Sequence, residues 1–354
     1  MRRAIGLMSG TSLDGIDAAF VETDGAARVI TGPSITIPYG DALKASLRAV
    51  LGGVGAVAEV ERAMTQAHAV AVETLRREHG LAEVDLIGFH GHTILHRPEE
   101  RRTWQIGDGA LLAVMTGIDV VCDFRSRDVA AGGQGAPLVP VYHRALAQDL
   151  GRPIAVLNLG GVANVTWIGP GEHALLAFDT GPGNALIDDW MLRHTGEPLD
   201  REGSMAASGR PDSAFIENFL RHPYFEARPP KSLDRDDFAR FRPDGLSVAD
   251  GAATLAAMTA AAVASGARYF SEPAFRWIVT GGGRRNLTLM AELSRRLDVP
   301  VGPVEDVGWD GDALEAQAFA YLAVRSVLDL PLSFPGTTGV SSPITGGMFF
   351  SGKN

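Results

Sequence analysis

Residues 6–17 read GLMSGTSLDGID, almost at the start of a chain of 354 residues. An apolar run over 4–8 stops at a knot of Ser, Gly, Thr and Asp, then resumes over 16–21. The pattern predicts two strands, 4–8 and 16–22, joined by a turn of small residues. A turn of this kind exposes several backbone N–H groups on one concave side, which is a nest for phosphate oxygens. Asp14-Gly15 is also a favoured dipeptide of a plain β-hairpin, so the turn alone leaves both readings open. It lacks the Gly-Lys-Ser/Thr of a Walker A loop.

The same layout restarts near residue 154. PIAVLNLG is an apolar strand ending in Gly160-Gly161, and VANVTWIG is its hairpin partner. ALLAFDTGPGN is a strand running into a Gly/Pro turn, and FRWIVTGGG is a strand ending in Gly281, Gly282 and Gly283. Apolar spacing and capping residues predict helices over 41–51, 57–79, 110–115, 185–194, 247–267, 286–297 and 310–328. Strands alternating with helices predict an α/β protein of two lobes. The boundary is expected between Gly132 and Pro140, giving a first lobe 1–135, a second lobe 136–330, and a tail 331–354 able to pack back on the first. The charged and aromatic stretch 211–243 reads as an insertion.

Bulk properties narrow the function. The net charge of −10, with no Lys/Arg cluster, speaks against a nucleic-acid partner. The single cysteine, Cys122, lies in the apolar run IDVVCDF, so a buried inert thiol in a reducing compartment is expected. The apolar part of the N-terminus is shorter than a signal-peptide core, and no stretch reads as a membrane span. A cytoplasmic protein without a membrane partner is the expectation.

Several residues could carry chemistry. Two glycine hairpins at the starts of two lobes could hold a polyphosphate from both sides. The triple glycine before the helix at Asn286 leaves room for a flat ring beside a helix N-terminus. Asp179 ends an apolar strand, where open α/β sheets bind ligands, and could act as a general base or cap the following turn. His90 and His92 in FHGHTILH would share a strand face, as in metal hydrolases with an HxH start, or simply line a polar strand end. Arg125 could fork onto a substrate carboxylate or pair with Asp123 or Asp128. Glu315, within an apolar helix, either works in a site or lies on that helix's polar face.

The motifs GLMSGTSLDGID, FHGHTILHRP, QIGDGA, DFRSRDVAAGGQGAPLVP, NLGGVANVT, FDTGPGNALID, VTGGGRRN and DALEAQAFAYLA occur in the order found in the anhydro-N-acetylmuramic acid kinase family. The chain resembles that family over nearly its whole length. The resemblance implies the actin/hexokinase/heat-shock-ATPase superfold, with two ribonuclease-H-like lobes around a central ATP cleft. It implies ATP and Mg²⁺ as cofactors, and a homodimer. Gly10, Thr11, Ser12, Leu13, Asp14, Gly15, Ile16 and Asp17 would form the first phosphate loop. Gly160, Gly161 and Asn164 would belong to the second, with Gly281, Gly282, Gly283 and Asn286 beside the adenosine. Asp179 matches the family's catalytic base. Substrate-side candidates are His90, Gln105, Arg125, Asp128, Gln134 and Glu315, and the metal ligands are unassigned. The implied reaction opens the 1,6-anhydro ring with water and phosphorylates O6, a step of peptidoglycan recycling. The chain departs from its relatives twice: the superfold often has D-x-G where this strand reads Gly6-Leu7-Met8-Ser9, and the family has Gln at the position of His92. Competing readings are a kinase of the same superfold with another substrate, a metal hydrolase built on His90 and His92, and a non-catalytic ATP-gated module.

Overall fold

The computed structural model describes residues 1–10, 13–171 and 174–353. The chain begins with β1 (Arg2–Ser9), β2 (Gly15–Thr23) and β3 (Val29–Pro38), then α1 (Asp41–Ala49), α2 (Val57–His79), β4 (Leu86–Arg97) and β5 (Arg102–Ile106). It continues through α3 (Gly109–Thr116), β6 (Asp119–Cys122), α4 (Ser126–Ala130) and α5 (Pro140–Leu146). Next come β7 (Ile154–Leu159), β8 (Val162–Ile168), β9 (Leu175–Pro182), α6 (Ala185–Thr195), α7 (Ser204–Ala207), α8 (Ser213–Leu220) and α9 (Val248–Gly266). The last elements are β10 (Trp277–Thr280), α10 (Leu287–Leu297), β11 (Val301–Pro303), α11 (Leu314–Val327), α12 (Pro335–Thr338) and β12 (Met348–Phe350).

These elements form two compact units, Met1–Asp149 with Ala313–Asn354, and Leu150–Asp312. The sheet of the first unit runs β12-β6-β4-β1-β2-β3, with β5 on β4. The sheet of the second runs β11-β10-β7-β8-β9. In each, three strands form an antiparallel meander and two more add in parallel beside the first. With β5 and β12 left out of the first sheet, the five core strands of each unit, numbered in chain order, run 3-2-1-4-5. The repetition of layout read from the sequence is a repetition of topology.

The unit boundary differs from the expected one. Residues 136–149 and 313–330 belong to the first unit, because α5 and α11 bury their aromatic residues on each other. The Tyr142 hydroxyl donates to Gln317 Oε1 at 2.9 Å, and the Tyr142 and Tyr321 rings lie 5.4 Å apart. The tail also joins this unit, as β12 pairs antiparallel with β6.

Asp128 ties the tail down. Its buried carboxylate accepts from the Gly135 N–H at 2.6 Å, the Thr338 hydroxyl at 2.6 Å and the Ser333 hydroxyl. Its carboxylate therefore does structural work, and the sequence expectation of a substrate contact is corrected. Asp128→Ala would leave three donors facing an apolar gap, at a cost of about 3 kcal/mol. Thermal unfolding should show the loss; a change below about 1 kcal/mol would disprove the tie.

The hydrophobic helix α9 is a second correction. By length and composition the stretch Val248–Tyr269 could cross a membrane, although no such stretch was expected. In this structure it is a core helix: Ala252, Leu255, Ala256, Met258, Ala260 and Val263 are buried in the second unit. Its start matches the prediction, with the Ser247 hydroxyl accepting from the Asp250 N–H at 3.1 Å. Cys122 is buried as expected, and loss of water pushes its thiol up to about 12.

Candidate active site

In the first unit the β1–β2 turn stands at the end of two central strands. Leu13 N–H donates to the Gly10 carbonyl at 3.1 Å, and Leu13 adopts φ 60° with its side chain buried. That is a sparsely populated conformation for a residue with a Cβ. Gly15 meets β3 so closely that a Cβ would lie 2.4 Å from the Ile37 carbonyl oxygen. Asp14 is exposed, and Asp17 is half-buried and accepts from the Thr36 hydroxyl at 2.6 Å. Thr11 and Ser12 lie outside the described residues.

The first unit also gathers His90, Arg125 and Glu315. His90 Nδ1 donates to the Gly91 carbonyl at 2.7 Å, and its Nε2 accepts from Arg125 Nη2 at 2.9 Å. Arg125 Nη1 donates to the Gly135 carbonyl at 2.8 Å. Burial, helped by the Arg125 charge, holds the His90 imidazole well below its usual value, so it is neutral. Burial also lowers the Arg125 guanidinium to about 10, against the fields of Glu315 and Asp128. Glu315 opens the first turn of α11. The residue is exposed, yet loss of water around its carboxyl raises the pKa, opposed by Arg125 and reinforced by Asp17.

His90 and His92 do not share a strand face. Gly91 has φ 74° and the β1–β4 register shifts beside it, so the alternation of side chains is broken. His92 Nδ1 instead meets the Ser9 hydroxyl at 3.0 Å, and that hydroxyl accepts from Tyr39 at 2.8 Å. Among the described residues no group of three His, Cys, Asp or Glu could hold a metal ion. Gln105 is half-buried on β5 and donates to Thr103 at 2.8 Å and Thr93 at 3.2 Å, and Gln134 joins the tail through its N–H to the Thr338 carbonyl at 2.7 Å.

The second unit collects its predicted residues at one sheet end. Gly160 and Gly161 turn from β7 into β8, and Asn164 stands opposite Asp179 in the β8–β9 register. Asn184 secures this turn: its N–H donates to the Gly160 carbonyl at 2.8 Å, and its side-chain amide to the Leu159 carbonyl at 2.8 Å. β10 runs parallel to β7, bringing Gly281, Gly282 and Gly283 alongside. A Cβ on Gly281 would lie 2.3 Å from Asn158 Oδ1, and one on Gly283 would lie 2.5 Å from Leu159 Cβ. Glycine is thus required for close approach here. Arg284 braces the turn through Glu305 at 2.9 Å, Asp312 at 3.0 Å and the Gly281 carbonyl at 3.0 Å. Asn286 caps α10, accepting from the Leu289 N–H at 2.9 Å, so its side-chain oxygen serves the helix.

Asp179 lies on β9 and is half-buried. Its Oδ2 accepts from the Leu233 N–H at 2.8 Å, and its own N–H donates to the Lys231 carbonyl at 3.0 Å. Loss of water raises its carboxyl to about 7; the Leu233 hydrogen bond opposes this and Asp234 adds to it. The stretch 211–243, expected to be an insertion, therefore holds Asp179. It is anchored by Phe219, Phe225 and Phe238, which are buried against α9 and α6. Asn184, Lys231 and Leu233 escaped the sequence reading: Asn184 was visible in the GPGN turn, whereas the approach of 231–233 to Asp179 left no local signal.

Two units that share a 3-2-1-4-5 core order, each with a glycine turn after its first strand, give an α/β protein with the actin-like ATPase fold. Component A of (R)-2-hydroxyglutaryl-CoA dehydratase from Acidaminococcus fermentans shares the fold, at 11% identity and TM-score 0.50 over 93% of this chain and 100% of that one. The sequence model of the family described as anhydro-N-acetylmuramic acid kinase matches residues 2–352. The anhydro-N-acetylmuramic acid kinase of Paramagnetospirillum magneticum is 60% identical over 97% of this chain and 98% of its own. That of Rhodospirillum rubrum is 56% identical over 98% and 94%. The chain belongs to the anhydro-N-acetylmuramic acid kinase family.

Proposed function

We propose that this kinase uses ATP to open 1,6-anhydro-N-acetylmuramic acid with water and to phosphorylate O6, giving N-acetylmuramic acid 6-phosphate and ADP. Its place would be the cytoplasm, in cell-wall recycling, as a homodimer. The observation that carries this reading is Asp179, a carboxylate with a raised proton affinity, held by a main-chain N–H beside clustered glycine turns.

Asp179 takes a proton from water, and the water oxygen forms a bond to C1. The C1–O6 bond breaks, and O6 forms a bond to the γ-phosphorus as ADP leaves. A base near neutrality suits this task, because it is partly unprotonated yet still basic enough to accept a proton. Gly10–Asp17, including Thr11 and Ser12, would hold phosphate oxygens through backbone N–H groups, as would Gly160, Gly161 and Asn164. Gly281, Gly282 and Gly283 would leave room for the adenosine. His90, Gln105, Arg125, Gln134 and Glu315 remain the substrate-side candidates. Asp17 adds to the raised proton affinity of Glu315, and carboxylate oxygens of this kind would suit the waters of a hydrated Mg²⁺. When bound, Mg²⁺ would neutralise phosphoryl charge.

The test is to incubate the purified protein with Mg²⁺-ATP and 1,6-anhydro-N-acetylmuramic acid and weigh the sugar. The expected product is heavier by one water and one phosphoryl group. An unchanged sugar, with ATP still bound, would discard this substrate, and a panel of other sugars would then identify the acceptor.

A further inference from the structure

Only three of the 32 Lys and Arg residues are lysines. One of them, Lys231, lies beside Asp179. Its Nζ sits 4.3 Å from the centroid of the Tyr224 ring, 5.0 Å from that of Tyr269 and 5.9 Å from that of Phe178. It also donates to the Tyr224 carbonyl at 2.9 Å. A compact ammonium with three donors suits a cage of three rings and one carbonyl, and in a partly desolvated place the ring quadrupoles attract it.

The residues joined by this ammonium both grip Asp179. The Tyr224 hydroxyl donates to the Asp179 carbonyl. The Lys231 carbonyl accepts from the Asp179 N–H at 3.0 Å, and two residues further on the Leu233 N–H donates to Oδ2 at 2.8 Å. The ammonium thus closes a ring of contacts: Asp179 to Tyr224, Tyr224 to Lys231, and Lys231 through its own backbone back to Asp179. We propose that Lys231 is a positioning residue, whose caged ammonium keeps the Leu233 N–H on the Asp179 carboxylate. The proposal rests on the reading of Asp179 as the catalytic base.

The surroundings support this role. Asp234 pushes the Asp179 carboxyl up, Asp237 and Tyr269 act on Tyr224, and Arg268 and Glu226 act on Lys231. Opposite Asp179, β8 presents the uncharged Asn164, and α9 presents Ala262 close to Gly181. Among the described residues no cation in this set pairs directly with the Asp179 carboxylate, and the Leu233 N–H is a contact that lowers its proton affinity. Loosening it should raise that affinity.

The experiment measures kcat against pH, together with KM for ATP and for the sugar, in the wild type, Lys231→Met, Lys231→Arg and Asp179→Asn. Folding of each is checked by its thermal midpoint. Lys231→Met is expected to lose about 10-fold in kcat, with its acid limb displaced upward by about half a pH unit and KM for ATP within about twofold. Lys231→Arg, which keeps the charge and the ring contact, should restore most of both. If Lys231→Met does not fold, Lys231→Gln, which removes the charge but keeps a donor for the Tyr224 carbonyl, should displace the acid limb upward by a smaller amount, and an unmoved limb there would overturn the proposal. A wild-type kcat and acid limb in the folded variant would overturn the proposal. So would a loss confined to KM for the sugar, which would make Lys231 a substrate contact. A lower kcat with an unmoved acid limb would show a merely structural part. Asp179→Asn separates the two readings: wild-type turnover there removes the base itself, whereas an inactive Asp179→Asn beside an unaffected Lys231→Met removes only the role of Lys231.

Discussion

Asp179→Asn is expected to lower turnover by roughly 10²–10⁴-fold while leaving ATP affinity unchanged. The amide keeps the shape and can still accept from the Leu233 N–H, but it cannot take a proton. The wild type should show the matching pH profile. With the carboxyl raised to about 7 by loss of water, the basic form dominates above that pH, so kcat falls as pH drops below it. Asp179→Asn should abolish this acid limb in whatever activity remains. The same shift affects stability with the opposite sign. Between the ordinary carboxylate value of about 3.9 and the raised one, the folded chain holds a proton that the unfolded chain has lost, so this group's contribution falls as pH rises through that window. Asp179→Asn should flatten that slope. Near-normal turnover in the variant, measured by ADP release, would remove Asp179 from the chemistry.

Gly6→Ala should be the most damaging single methyl group in the first unit, at about 3–5 kcal/mol. β1 and β4 pack directly against the backbone of α11. A Cβ at Gly6 would lie 1.7 Å from the Ala316 carbonyl oxygen and 2.5 Å from the Ala320 nitrogen, and one at Gly88 would lie 2.0 Å from the Phe319 carbonyl oxygen. None of these atoms belongs to a side chain that could rotate away, so the helix itself would have to move. That helix carries Glu315, and β1 leads into the turn at Gly10, so displacement should also lower activity in any folded fraction. Gly40→Ala is the control: nothing lies within 4 Å of its added methyl, and its cost should stay below about 1 kcal/mol. Equal unfolding midpoints for the two variants would contradict the close packing of strand on helix.

The amino-acid sequence determined most of the local structure and the motif set. Apolar runs bounded by glycine turns foretold β1, β2, β7, β8 and β10, and helical periodicity foretold α2 from Val57 to His79. These signals are local: strand alternation, apolar spacing and capping residues are written within a few residues of where they act. The strand β3 was missed because its pattern is weak, with most of Val29–Pro38 only partly buried. Asp179 was legible as a carboxylate at a strand end, and the glycine clusters as close turns.

The tertiary structure alone decided which residues support them. Lys231 and Leu233 reach Asp179 from more than 50 residues away; Asp128 reaches Ser333 and Thr338 across more than 200. Such partners are chosen by where packed elements bring the chain back, not by any neighbouring residue. The same holds for His90 and His92: a two-residue spacing predicts one shared face, but the left-handed Gly91 and the shifted register send the side chains to Arg125 and Ser9. It holds too for the unit boundary, which α5 and α11 moved by burying Tyr142 and Tyr321 together. A sequence records the preferences of each segment, whereas long-range contacts depend on how those segments jointly bury their apolar faces.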